Sequence, residues 1–183
     1  MNVAVCEYGA GNVRSVAAAF ERLGADVRVT SSPAEVETAD LAVLPGVGSA
    51  ATAMEGLRRS GLDVALRERV EAGGATLGIC LGLQLALEET EEDGGVRGLA
   101  LLPGRAVRLR AERVPRIGWA RVEPGGDSFY FAHSYVAETP AAVGSSEGVV
   151  AIAESGSFLG VQFHPEKSGP AGSRFLGRCL SRV

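Results

Sequence analysis

Short apolar runs alternate with helical stripes through the first half of this chain, and that alternation restricts the fold more than any other feature. Residues 2–7, 27–29, 41–44 and 75–79 are each apolar and strand-sized. Between them, residues 13–23 place apolar side chains at 13, 16, 17, 20 and 23, one face of a helix, and Gly24 ends the run. Pro33 opens a short helix, and 62–72 and 81–89 read as further helices. Strands this apolar need cover on both faces, which crossover helices supply, so the pattern predicts a parallel sheet. The ligand site of such a sheet lies beyond the carboxyl ends of its strands.

The second half changes character. Short strands are expected at 107–109, 116–122, 128–132, 142–146, 149–153 and 158–163, split by Gly-, Pro- and Glu-rich turns, before a last helix over 172–180. The expected architecture is α/β, a flavodoxin-like three-layer sandwich with a mostly parallel central sheet and added antiparallel strands in the second half. No repeat or linker interrupts it, so residues 1–183 are expected to form a single domain. The stretch TEEDGG at 90–95 is the most loop-like.

Composition narrows the functions. Hydrophobic residues make up 46% and charged residues 22%, which suits a packed core and not a disordered chain. Eighteen basic against 22 acidic residues leave a net charge of −4, so no nucleic-acid partner is expected. No apolar stretch approaches the roughly 18 residues of a membrane span, and residues 1–7 lack the cationic region of an export signal. A cytoplasmic location is expected. The three cysteines, Cys6, Cys80 and Cys179, are far apart and read as reduced thiols. No Cys/His spacing suits zinc, so no metal is expected. GAG at 9–11 has Arg14 where a dinucleotide fingerprint needs its third glycine, and PGVG at 45–48 lacks the Lys-Ser/Thr of a phosphate loop, so no cofactor is expected either.

The chemistry concentrates in two segments. At 75–85 an apolar strand runs into Gly78, Cys80 and Gly82 and straight into a helix. This G-x-C-x-G is the cysteine counterpart of a nucleophile elbow: the glycines allow a sharp turn and leave the nucleophile uncrowded. Cys80 would sit at a helix amino end, where partial positive charge favours the thiolate, with the Leu81 N–H as an oxyanion donor. A buried core cysteine is the bland alternative. At 158–166 another apolar strand delivers His164, and if the chain stays extended past Pro165, Glu166 projects to the same side and can orient the imidazole. A surface His-Pro turn is the alternative. His133 is a rival base, but it lacks a carboxylate two residues on and is read as structural or substrate-positioning.

These stretches, taken with YGAGN at 8–12, LPGVG at 44–48, VPRIGW at 114–119, YFAHSY at 130–135 and GVQFHPEKSG at 160–169, resemble the class I (triad) glutamine amidotransferases. More narrowly, they resemble the glutaminase subunits of imidazole glycerol phosphate synthases. The resemblance spans residues 8–169 in the family's order, with two departures, Arg116 and Ala120, that leave local hydrogen bonds of that segment open. It implies that Cys80 attacks the glutamine amide, that His164 transfers protons and that Glu166 orients His164. It also implies that Gly46, Gly48, Gln84, Ser134 and Tyr135 hold the glutamine and that Val47 supplies the second oxyanion donor. The Gly46–Gly48 loop is expected to be mobile, because glycines flank Val47. The implied partner is a (β/α)₈-barrel cyclase subunit forming a heterodimer, which takes the ammonia for imidazole ring closure in histidine biosynthesis, with Asn12, Trp119, Tyr130 and Lys167 at the interface. Lys167 is the single lysine among 18 basic residues, which suggests that arginine does not serve there. Two other readings stay open: a glutaminase of another synthase, such as pyridoxal phosphate synthase, and a non-catalytic flavodoxin-like binding module.

Overall fold

A computed structural model describes residues 1–9 and 11–182; Ala10 of the expected glycine-rich turn lies outside the described residues, as does Val183. The first half alternates as expected: β1 (Asn2–Cys6), α1 (Val13–Glu21), β2 (Asp26–Thr30), α2 (Pro33–Thr38), β3 (Leu41–Leu44), α3 (Ala50–Ser60), α4 (Leu62–Glu71), β4 (Thr76–Ile79) and α5 (Leu81–Ala86). The second half is mostly strand: β5 (Glu89–Thr90), β6 (Val96–Arg97), β7 (Arg105–Arg108), β8 (Arg116–Arg121), β9 (Ser128–His133), β10 (Tyr135–Glu138), β11 (Ala142–Ser146), β12 (Val149–Ser155) and β13 (Phe158–Val161), closed by α6 (Gly169–Leu180).

A seven-stranded sheet in the order β11-β12-β13-β4-β3-β1-β2 forms the middle layer. Its β2, β1, β3, β4 and β13 run parallel, while β12 and β11 are antiparallel additions. Strand period two sorts the side chains. Val3, Val5, Val43, Leu77 and Ile79 bury against α1 and α6, through Phe20, Phe175 and Leu176. Ala4, Cys6, Ala42 and Leu44 face Met54, Leu57, Leu62 and Leu66 of α3 and α4. The three-layer sandwich follows directly from that two-sided burial. A four-stranded sheet β10-β7-β5-β6 and the β8–β9 ribbon sit beside it. Among the described residues no helix is long and apolar enough to cross a membrane.

One helix has no counterpart in the sequence reading, and two expectations need correction. Helix α3 does not stand out in the sequence because its stripe is built of Ala50, Ala53, Met54, Gly56 and Leu57; Gly56 carries no side chain because one there would strike the Tyr8 carbonyl. Helix α5 stops at Ala86 instead of continuing to 89: Leu87 turns extended, and Glu89 and Thr90 pair with β6 and β7. The chain does not stay extended through Pro165 and Glu166. His164 is extended, but Pro165–Lys167 is a 3₁₀ turn, which the fixed φ of proline starts well.

Candidate active site

Parallel register places the two informative segments side by side. Strands β4 and β13 pair Ile79 with Val161, so Cys80 and Gln162 leave the sheet together at the carboxyl edge. The Cys80 N–H donates to Val161 O at 2.7 Å. Cys80 itself adopts φ 54, ψ −107, a conformation few non-glycine residues tolerate, held here by the strand before it and the helix after it. The residues two positions to either side, Gly78 and Gly82, must be glycine for reasons of space. A Cβ on Gly82 would lie 2.0 Å from the Leu44 carbonyl, and one on Gly78 would lie 2.7 Å from the Phe158 ring. The elbow is therefore a strained turn locked by close backbone packing.

Around Cys80 the polar groups converge. The Gln162 amide donates to Sγ at 3.6 Å, and Sγ lies 3.8 Å from the Ala132 carbonyl. His164 and Glu166 are buried, with side chains 3% and 1% exposed, and His164 Nδ1 lies 2.9 Å from Glu166 Oε1. Nδ1 thus carries the proton toward the carboxylate, which leaves Nε2 for Cys80. The backbone is pinned too: His164 N–H donates to Tyr130 O at 2.8 Å, and Ser168 Oγ donates to His164 O at 2.6 Å. Burial opposes charge on this imidazole, but hydrogen bonding to Cys80 and then to Glu166 outweighs it and lifts the pKa to about 9. The balance favours the imidazolium form of His164 at neutral pH.

His133 is its opposite. Burial, with only partial compensation from the Tyr135 carbonyl, pushes its pKa down to about 4. Its Nδ1–H donates to Tyr135 O at 3.0 Å, and its buried Nε2 has no partner among the described residues. It is a neutral wall of the site. Burial likewise pushes the Cys6 and Cys179 thiols up to about 12, so neither is poised as a thiolate.

A cavity of 240 Å³ opens in front of Cys80, lined among others by Val47, Gly48, Leu81, Gln84, Ser134 and Tyr135, all expected from the sequence. Gln84 is braced by its amide donating to Tyr135 O at 2.9 Å and Gln162 Oε1 at 3.1 Å. Gly46 does not line the cavity. It packs under it, where a Cβ would lie 2.6 Å from the Leu81 Cβ. Gly48 has φ 100 with open space beside it, so it is the freer of the two. The N–H groups of Val47 and Leu81 have no partner among the described residues. Glu92 also lines the cavity and was not singled out from the sequence, where it reads as part of a loop; a carboxylate eight residues after Gln84 is the only signal. Among the described residues no group of three His, Cys, Asp or Glu side chains could hold a metal ion.

Beside the site lies a second patch. Trp119 and Tyr130 meet edge to face with ring centroids 6.2 Å apart, Lys167 Nζ stands 5.9 Å over the Tyr130 ring, and Trp119 remains 59% exposed. Asn12 precedes α1, which packs against the Pro165–Lys167 turn. The local bonds of Arg116 are also defined: its guanidinium stacks 4.3 Å over Phe131, donates to Ser146 Oγ at 2.8 Å and pairs with Glu147 at 2.9 Å. Ala120 packs against the core on the α1–α6 side.

The profile of the family described as glutamine amidotransferase class-I matches residues 4–183. The imidazole glycerol phosphate synthase subunit HisH of Moorella thermoacetica is 45% identical, over 95% of this chain and 91% of that protein. The same subunit of Chlorobaculum tepidum is 40% identical, over 95% of this chain and 96% of that protein. A crystal structure of a glutamine amidotransferase shares the fold, with a TM-score of 0.81, 23% identity and 99% of each chain covered.

Proposed function

The chain belongs to the class I glutamine amidotransferase family, and from that premise we propose that it is the glutaminase subunit of an imidazole glycerol phosphate synthase. The observation that carries the chemistry is the buried relay of Glu166, His164 and Cys80 on a strained elbow. The observation that carries the pathway is 38–45% identity to HisH subunits over most of the chain.

The reaction takes glutamine and water to glutamate and ammonia. Glutamine enters the cavity with its amide at Cys80, its carboxylate toward the backbone of Ser134 and Tyr135 and its ammonium toward Glu92, beside Gln84 and Gly48. Cys80 attacks as a thiolate, and the amide oxygen becomes an oxyanion between the N–H groups of Leu81 and Val47. Imidazolium His164 gives its Nε2 proton to the amide nitrogen, the C–N bond breaks, and ammonia leaves a thioester on Cys80. The now neutral His164 takes a proton from water, the hydroxide attacks the thioester, and glutamate departs as Cys80 and His164 return to their starting states. Glu166 holds the imidazole in the orientation and tautomer both steps need.

Ammonia then passes to a partner subunit. We assign that partner as a (β/α)₈-barrel cyclase and the docking face as Trp119, Tyr130, Lys167 and Asn12, and place the complex in the cytoplasm. The test is to assemble the chain with the candidate barrel subunit and measure glutamate release beside ring formation. Cys80→Ala should abolish glutamine-dependent synthesis and leave ammonia-dependent synthesis intact. Retained glutamine-dependent synthesis would overturn the assignment of the nucleophile, and no ring product with any barrel subunit would overturn the pathway.

A further inference from the structure

The turn that carries Glu92 is joined to the amino end of α3, next to the loop that carries Val47, through the carboxylates of Asp93 and Glu92. Asp93 Oδ2 accepts from Ser49 Oγ at 2.6 Å and from the Ala51 N–H at 3.0 Å, while Glu92 Oε2 accepts from the Ala50 N–H at 3.1 Å. The first amides of α3 are thereby satisfied from a segment some forty residues away, not only by the helix's own cap. Ser49 directly follows the Gly46–Gly48 loop, whose other end is held where the Tyr8 hydroxyl donates to the Pro45 carbonyl. Asp93 also sits at φ 55, a left-handed position that asparagine and glycine accept more easily. Its hydrogen bonds from Ser49 and then Ala51 hold its carboxyl below the usual range.

We propose that Asp93 is a positioning residue for glutamine turnover: its carboxylate clamps the turn bearing Glu92 to the amino end of α3, so that the ammonium-binding group and the oxyanion loop keep one spacing. The inference rests on the reading of Cys80 as the nucleophile and Glu92 as a glutamine contact. Asp93 acts through Ser49 and Glu92 and touches no substrate atom.

The experiment is steady-state glutaminase kinetics of the chain bound to its partner subunit, with thermal unfolding of each variant as a check on folding. Asp93→Gly removes both accepted bonds while relieving the left-handed φ, and should raise the glutamine KM at least about fivefold, the change that a loss of about 1 kcal/mol corresponds to. Asp93→Asn keeps an acceptor and should stay within about twofold of the parent protein. Ser49→Ala should raise KM, and Ser49→Ala with Asp93→Gly should raise it by less than the product of the two single changes, because the Ser49–Asp93 bond is common to both while Ser49 also caps Thr52 N–H and Asp93 also holds Ala51 N–H. A KM unchanged in folded Asp93→Gly, or fully additive Ser49 and Asp93 effects, overturns the clamp; if Asp93→Gly does not fold, Ser49→Ala decides, an unchanged KM overturning the clamp and a raised one supporting it. Cys80→Ala separates the two readings. Turnover that survives it overturns the nucleophile and this inference together, whereas turnover lost in Cys80→Ala with KM unmoved at Asp93 overturns the clamp alone.

Discussion

The surroundings of the two histidines push their pKa values in opposite directions, His164 up and His133 down, and each leaves a different mark on stability. His164 has a folded pKa of about 9 against an ordinary 6.5, so its contribution is complete below 6.5 and is lost as pH rises toward 9. His133 has a folded pKa of about 4 against 6.5, so the unfolded chain binds the extra proton and stability falls as pH drops from 6.5 toward 4. Denaturant titrations across pH should therefore show a maximum near 6.5 flanked by two limbs, the alkaline one shrinking in Glu166→Gln. An alkaline limb of full size in that variant would remove Glu166 as the partner of the imidazolium. Cys80→Ala takes away the other partner and should lower the His164 pKa, read from the imidazole carbon resonance in solution NMR. The same residue should take the label from an electrophilic glutamine analogue, with Cys6 and Cys179 spared because burial keeps both as thiols.

Elements are held by contacts that tolerate little change. Arg69 of α4 is buried and has no carboxylate partner among the described residues; its guanidinium donates to Val36 O and Glu37 O at the end of α2, to Asp40 O before β3, and to Ala75 O before β4, all at 2.9–3.3 Å. These are the amino ends of the strands, opposite the cavity. Arg69→Met leaves four carbonyls without that donor and should cost about 3 kcal/mol. The loss should appear as a lower urea midpoint at unchanged slope, with the glutamine KM of the folded protein unaltered. A loss under about 0.5 kcal/mol, typical of an inert surface site, would mean that water replaces those bonds. Gly82→Ala tests the elbow in the same way: the methyl group meets the Leu44 carbonyl, so α5 must lift from β3 and Cys80 must leave its φ of 54. Turnover should fall by much more than stability, and equal activity in a folded Gly82→Ala protein would show that the elbow can relax.

For the whole molecule, the decisive property is that the His164 relay and the exposed Trp119–Lys167 patch, which we propose as the docking face, meet at Tyr130, whose ring lies 6.5 Å from His164 and beneath Lys167. Lys167→Ala should loosen the coupling: glutamate release should exceed ring product in the assembled complex, while thioester formation at Cys80 survives. A one-to-one ratio with parental partner affinity would remove Lys167 from the interface. Much of this was legible in the linear chain. The alternation of strand and helix set the parallel sheet, because apolar strands need cover on both faces. G-x-C-x-G marked Cys80, because only glycine fits where α5 meets β3. His164 with Glu166 was legible as a pair, though not by its route, since the carboxylate reaches Nδ1 from a 3₁₀ turn and not along a strand. What stayed hidden depends on pairs distant in sequence. Glu92 belongs to the cavity only because β5 and β7 carry its turn there, Asp93 meets Ser49 across 44 positions, and Arg116 finds Ser146 across 30. Local pattern reports what a segment must bury and how it must turn. Which charged loop residue faces which site is decided by sheet register and packing, because an exposed carboxylate or guanidinium carries no periodicity that reveals its partner.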